Sequence, residues 1–333
     1  MVFCLSPLGD TLFAIPAIRA LQENYSRARI VIIASPVAYE VLKANPYHLE
    51  LQCCSDQWQL IKLIRAIRRE HFDLAIGLTH FGSYFTRYCG ADRRSDFFTL
   101  RGFPERKGSD SVVQLCLDIV GELDLKVGTI RTEFWHSDGE RRKMRQFLSG
   151  MELVHNQPWV AIHCGGHYFT RKRWPLESFA DLIGRIQYQL GLPVVLIGGA
   201  EDRENAAILN AAAPQAINTV GRLRISETAL LLENCQLFIG NDSGPLHLAA
   251  AVGVPTVGLY GPTDPAQFYP YHSPQHRFFY KALPCSPCYR FGGGFWQALP
   301  KCSRPYCMEA ITVNEVFDYV EGRFCQNLPQ MIN

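Results

Sequence analysis

Short apolar runs alternate with amphipathic stretches along most of the chain, and this rhythm restricts the fold more than any other feature. Val2–Leu5 reads as a strand, Thr11–Asn24 as a helix, Ile30–Ala34 as a strand of mainly β-branched residues, and Pro36–Ala44 as a short helix. The spacing predicts a longer helix over Gln57–His71, with Leu60, Ile61, Ile64 and Ile67 on one face and Lys62, Arg65, Arg68 and Arg69 opposite, followed by a strand at Phe72–Leu78. A charged, weakly patterned stretch from Thr132 to Gln157 interrupts the series, which then restarts. Strands are expected at Trp159–His163, Pro193–Ile197, Leu237–Gly240 and Thr256–Tyr260. Helices are expected at Leu176–Leu190, Asp202–Ala213, Ser226–Asn234 and Pro245–Val252. Short strands separated by helices imply parallel βαβ units. With 333 residues, two α/β domains are expected, 1–150 and 151–333, with a cleft between them.

Apolar residues make up 47% and charged residues 19%, which excludes a disordered chain. Lysine and arginine total 33 against 31 acidic residues, a net of +2, so a dedicated nucleic-acid binder is not expected. Met1-Val2-Phe3-Cys4-Leu5 runs into Ser6-Pro7-Leu8-Gly9-Asp10 without a basic segment ahead of it, unlike a signal peptide. No apolar run approaches the roughly 18 residues of a membrane helix. These features predict a cytoplasmic chain with reduced thiols. Its twelve cysteines then point to metal binding, catalysis or ordinary packing rather than to a disulfide framework.

In open α/β sheets, ligands bind beyond the carboxyl ends of strands, where small-residue turns lead into helices. Phe238-Ile239-Gly240-Asn241-Asp242-Ser243-Gly244-Pro245-Leu246-His247 has this form. Gly240 and Gly244 permit close backbone approach, and Pro245 suits a first helical turn, where its missing N–H costs little. The amides and dipole of that helix start form an anion site fitted to a diphosphate, with His247 one turn in. The residues alone equally allow a capped helix with a structural Asp242.

Three segments resemble glycosyltransferase family nine, which contains the ADP-heptose:lipopolysaccharide heptosyltransferases. Asn241-Asp242-Ser243-Gly244-Pro245-Leu246-His247, followed by Pro255-Thr256-Val257-Gly258-Leu259-Tyr260-Gly261-Pro262, is similar to the family's D-[ST]-G-x-x-H turn and strand exit. Leu8-Gly9-Asp10-Thr11 through Pro16 resembles its G-D-x-h-h-h-h-P opening (h, apolar), and Lys172-Arg173-Trp174-Pro175 its K-x-W-P. The resemblance implies a GT-B fold of two facing Rossmann-like domains with an interdomain cleft. The first would bind the acceptor and the second the nucleotide sugar, and transfer would invert the sugar without a catalytic metal.

Under that resemblance Asp10 matches the catalytic base; the residues alone allow it to cap a helix starting at Thr11. Lys172 matches a charge on the departing diphosphate; alone, it could belong to a solvated basic run with Arg171 and Arg173. Asp242, Ser243, Gly244 and His247 would hold the donor, and Gly198-Gly199 and Val220-Gly221 would flank its base. The implied donor is ADP-heptose and the implied acceptor a glycan or glycolipid such as the lipopolysaccharide inner core. The basic face of Gln57–His71 then suits peripheral contact with the inner membrane. Two alternatives remain at this stage: a non-catalytic nucleotide-sugar-binding or assembly protein, and a hydrolase or epimerase of the same fold.

Four cysteines, Cys285, Cys288, Cys302 and Cys307, lie in a segment rich in proline, glycine and aromatics. Such a loop buries little core and would gain from a staple. The two pairs suit a tetrahedral thiolate site for structural zinc or iron; four reduced, metal-free thiols are the alternative. Cys4, Cys116 and Cys235 sit in apolar runs and read as packing residues.

Overall fold

The computed structural model describes residues 1–101, 111–150, 157–166, 170–269, 273–289 and 302–327. The described chain divides into two compact units, one comprising Met1–Ser137 and the other beginning at Asp138. The helix Asp138–Ser149 precedes the expected boundary at 150 but groups with the second unit. It buries Met144, and Arg141 donates to Glu233 at 2.7 Å.

In the first unit β1 (Val2–Cys4), α1 (Leu8–Asn24), β2 (Ile30–Ala34), α2 (Pro36–Leu42), β3 (Leu49–Cys53), α3 (Gln57–Ile67), β4 (Leu74–Gly77), α4 (His80–Ser83) and β5 (Arg93–Asp96) follow in order. The five strands form a parallel sheet in the order β3-β2-β1-β4-β5. Val2 of β1 lies between Ile32 and Ile76, so a fully buried apolar strand takes the centre. Phe3, Val31, Ile33, Leu60, Ile64 and Ile67 pack one core cluster. Ile61, expected on this face, is instead 41% exposed.

The second unit repeats the plan with β6 (Val160–His163), β7 (Val194–Leu196), β8 (Ile217–Asn218), β9 (Leu237–Asn241), β10 (Thr256–Tyr260) and β11 (His276–Tyr280). All are parallel, in the order β11-β10-β9-β6-β7-β8. Both sheets therefore have the doubly wound order of dinucleotide-binding folds, and the order reverses next to β1 in one and next to β6 in the other. The Leu176–Leu190 helix has the predicted bounds and ends at Gly191, whose φ of 66° is the left-handed conformation suited to glycine. Four strands escape the apolar-run rule because of where they lie. β3, β5, β8 and β11 are sheet edges, and Arg93-Arg94-Ser95-Asp96 is polar throughout.

Among the described residues no helix is long and apolar enough to cross a membrane.

Candidate functional site

The reversal point of the second sheet lies between β6 and β9, and the residues singled out from the sequence gather at the carboxyl ends of these strands. A segment leaves β6 through Cys164 and Gly165 and reaches the 3-10 turn Thr170–Lys172 and then Trp174. Trp174 is 1% exposed, meets Phe179 edge-to-face at 5.0 Å, and donates its indole N–H to the Ile311 carbonyl at 2.9 Å. Asn241, at the end of β9, ties this segment down. It accepts the Trp174 amide at 2.9 Å and donates its carboxamide nitrogen to the carbonyls of Cys164 and Gly165. The tryptophan is thus an anchor that fixes where Lys172, two residues earlier, can reach.

Lys172 reaches Asp242: Nζ donates to Oδ2 at 3.1 Å, with the carboxylate only 4% exposed. His247 Nε2 lies 3.4 Å from the other oxygen, Oδ1, and its side chain is 5% exposed. Burial alone would raise the Asp242 carboxyl. The Lys172 ammonium, with the His247 hydrogen bond, outweighs it and holds the group well below the usual carboxylate range. Lys172 also sits 4.9 Å from the ring centre of Tyr289 and 5.8 Å from that of Phe268, which wall it with aromatic faces.

Ser243 stands at the start of the helix Gly244–Ala251, with Pro245 in its first turn. Its hydroxyl does not cap that helix but turns to His163, 3.1 Å from Nδ1. Sequence reasoning missed His163, Asp202, Asn241, Phe268 and Tyr289. His163 closes an otherwise apolar strand, the one local hint available; nothing local marks the others.

In the first unit Asp10 occupies the first turn of α1, which begins at Leu8 rather than Thr11. Pro7 is the N-cap residue, so Asp10 lies inside the helix rather than at its N-cap position. Its charge, after burial, helps keep the thiols of Cys4 and Cys116 protonated, Cys4 being pushed up to about 12. Next to this turn a cavity of about 420 Å³ opens beyond β1, β2 and β3, lined by Leu5, Ser6, Pro7, Ser35, Asp56 and Phe81 among others.

The sequence profile of glycosyltransferase family 9 (heptosyltransferase) matches residues 60–292, more than half of the chain. The chain belongs to glycosyltransferase family 9. It is accordingly a transferase of sugars. Lipopolysaccharide heptosyltransferase 3 of Escherichia coli is 26% identical over 306 residues, 83% of this chain and 88% of that protein. Lipooligosaccharide heptosyltransferase 2 of Haemophilus influenzae is 33% identical over a shorter stretch of 127 residues, 37% of this chain and 36% of that protein. The solved structure of E. coli ADP-heptose lps heptosyltransferase II superposes with a TM-score of 0.72 at 21% identity, covering 98% of this chain and 99% of that one. The family-nine chain therefore has the GT-B fold class, built here from its two parallel-sheet units.

The four-cysteine segment lies beside this site. The Ser286 hydroxyl donates to the Gly261 carbonyl, and the amides of Cys288 and Tyr289 both donate to the Pro262 carbonyl, at 2.9 and 2.8 Å. Cys307 is buried, Cys302 is half-buried, and Cys285 and Cys288 are exposed. Burial raises the Cys288 thiol, with added repulsion from Cys302 and Cys285. Cys307 is pushed up to about 11 by burial and then by Cys288 and Cys285. Cys288 and Cys307 thus feel each other and Cys285, and Cys288 feels Cys302 as well. Among the described residues, however, no three metal-ligating side chains are grouped closely enough to hold an ion.

Proposed function

We propose that the chain transfers heptose from ADP-heptose to a lipopolysaccharide-core acceptor with inversion. The observation that carries this reading is the Lys172–Asp242–His247 constellation at the start of the Gly244–Ala251 helix. A buried carboxylate orients one ammonium beside the start of a helix, at the positive end of its dipole, an arrangement fitted to a diphosphate leaving group. Lys172 then meets the charge that develops as the sugar–phosphate bond breaks, and Gly244 permits the phosphate to approach the backbone. Asp10 takes the proton of the attacking hydroxyl. The cavity beside its turn supplies a place for the acceptor. The E. coli relatives, both named as heptosyltransferases, support heptose as the sugar and a lipopolysaccharide as acceptor.

The donor is tested by thermal unfolding with ADP, UDP and GDP in turn. Only ADP should raise the midpoint, contributing about 2.7 kcal/mol at a hundredfold excess over Kd. Equal shifts with all three, or none with any, would overturn the assignment.

The reading places the enzyme on the cytoplasmic face of the inner membrane. Trp58, 75% exposed, and Ile61 lie on α3 among the exposed Lys62, Arg65, Arg68 and Arg69, a surface suited to anionic headgroups.

The four thiols of Cys285, Cys288, Cys302 and Cys307 are not grouped closely enough to hold an ion as they stand, and would do so only once drawn together around a structural zinc or iron, which when bound cross-links a segment with little core of its own. Protein purified without added metal should carry close to one equivalent. A content below about a tenth of an equivalent removes the site, since structural thiolate sites bind tightly.

A further inference from the structure

The cavity beside the Asp10 turn has a two-natured lining that the transfer step leaves unused. Its about 420 Å³ falls within the range of small-ligand pockets. Leu5, Pro36, Leu60 and Phe81 give it apolar surface, while Asp56 and Gln57, where α3 begins, give it polar groups. Among its lining residues there is no lysine, arginine or histidine, so its one formal charge is the Asp56 carboxylate. The two helices that open on it are capped by their own side chains. Ser35 Oγ accepts the Ala38 amide of α2 at 3.1 Å, and Asp56 Oδ1 accepts the Gln59 amide of α3 at 2.8 Å. The negative Asp56 also offsets the positive dipole end of α3. Phe81 is 52% exposed, yet it is rigidly presented. Thr79 Oγ1 accepts the Gly82 amide at 3.0 Å, and a Cβ on Gly82 would come within 2.7 Å of the Phe3 carbonyl oxygen, so α4 lies directly against the end of β1. Phe85 meets the Phe81 ring edge-to-face at 5.2 Å.

We propose, resting on the acceptor reading above, that this cavity seats a neutral sugar ring of the acceptor, its C–H face stacked on Phe81 and its hydroxyls bonded to Asp56 and Gln57. A sugar ring is itself two-natured, with polarised C–H groups on a face and hydroxyls around the edge. The negative face of an aromatic ring attracts the first. A carboxylate accepts from the second, and a carboxamide both donates and accepts. Among the described residues Asp56 Oδ2 accepts only from the Ser55 hydroxyl, at 3.4 Å, which leaves it lone pairs for a ligand. An acyl chain would satisfy Phe81 but strip water from Asp56 without replacing its hydrogen bonds. A sugar bearing a carboxylate or phosphate would meet Asp56 with no cation between them.

Steady-state transfer by the full-length protein at saturating ADP-heptose tests this, with a core oligosaccharide ending in a neutral heptose as acceptor. Phe81→Ala should raise the acceptor KM about tenfold and leave ADP affinity, read by titration, within about twofold. The loss falls on KM because the ring holds the acceptor in ground and transition states alike. Phe81→Tyr keeps the aromatic face and should stay within about threefold of wild type, whereas Phe81→Leu keeps apolar bulk alone and should lose as much as Phe81→Ala. A phosphate on the terminal heptose, away from the accepting hydroxyl, should raise the wild-type KM about tenfold. Asp56→Asn, which keeps the helix cap, should narrow that penalty to below about threefold; this comparison leaves Phe81 untouched and stands even if its variants do not fold. A folded Phe81→Ala within twofold of the wild-type KM would overturn the proposal, as would full retention in Phe81→Leu. Equal use of the phosphorylated acceptor, or an undiminished penalty in Asp56→Asn, would overturn it too. Failure of the wild-type protein to bind or glycosylate the neutral oligosaccharide would instead overturn the acceptor reading.

Discussion

Asp10→Asn should lower the rate of sugar transfer by about three orders of magnitude while leaving ADP-heptose binding within a fewfold of wild type. The side chains are nearly the same size, and Asp10 lies in the first turn of α1 rather than at its N-cap, so the substitution removes the proton acceptor while keeping the side chain's shape. General-base catalysis typically supplies about 10²–10⁴ in rate, and an uncharged amide cannot accept the acceptor hydroxyl's proton. The checks are turnover with a lipopolysaccharide-core acceptor and calorimetric donor binding. Wild-type turnover in the variant would remove Asp10 from the chemistry. Loss of donor binding with loss of turnover would mean that the carboxylate acts through the structure instead.

Lys172→Met should lower transfer by about 10²–10³, the usual effect of deleting one preorganised charge at a developing anion. It should also cost stability. Asp242 is buried, and without the ammonium its carboxylate keeps His247 as its partner among the contacts described above; stranding a buried charge costs about 3 kcal/mol. The two effects can be separated. Adding Asp242→Asn removes the stranded charge and should restore the melting temperature but not turnover. Recovery of both together would make Lys172 a structural residue. Neither effect appearing would remove it from the site.

The strand–turn–helix around Asp242 was legible because all its information is local: an apolar strand, two glycines, a proline in the first helical turn. Lys172 became legible only through the family resemblance, since one lysine within Arg171-Lys172-Arg173 looks like any basic surface. What joins these two segments could not be read at all. Asn241 and Trp174 are 67 residues apart, His163 and Asp202 are 39 apart, and they meet because parallel strands bring their carboxyl ends to one edge. The edge strands failed for the opposite reason. β5 is half in solvent, and its polar sequence satisfies the sheet without an apolar run; β11 opens on His276-Arg277 and leaves Phe278 exposed, so its short aromatic run gives no strand signal. The start of α1 was misplaced by three residues because Pro7, which carries no side-chain cap, gives none of the usual opening signals. That small displacement settles the cap question for Asp10.

Tyr289, which follows Cys288 directly, lays its ring against the Lys172 ammonium, while both backbone amides are pinned to Pro262. One peptide bond therefore separates the Cys288 thiol from the ring that walls Lys172, and a shift of the backbone at that cysteine is a shift of the lysine's aromatic wall.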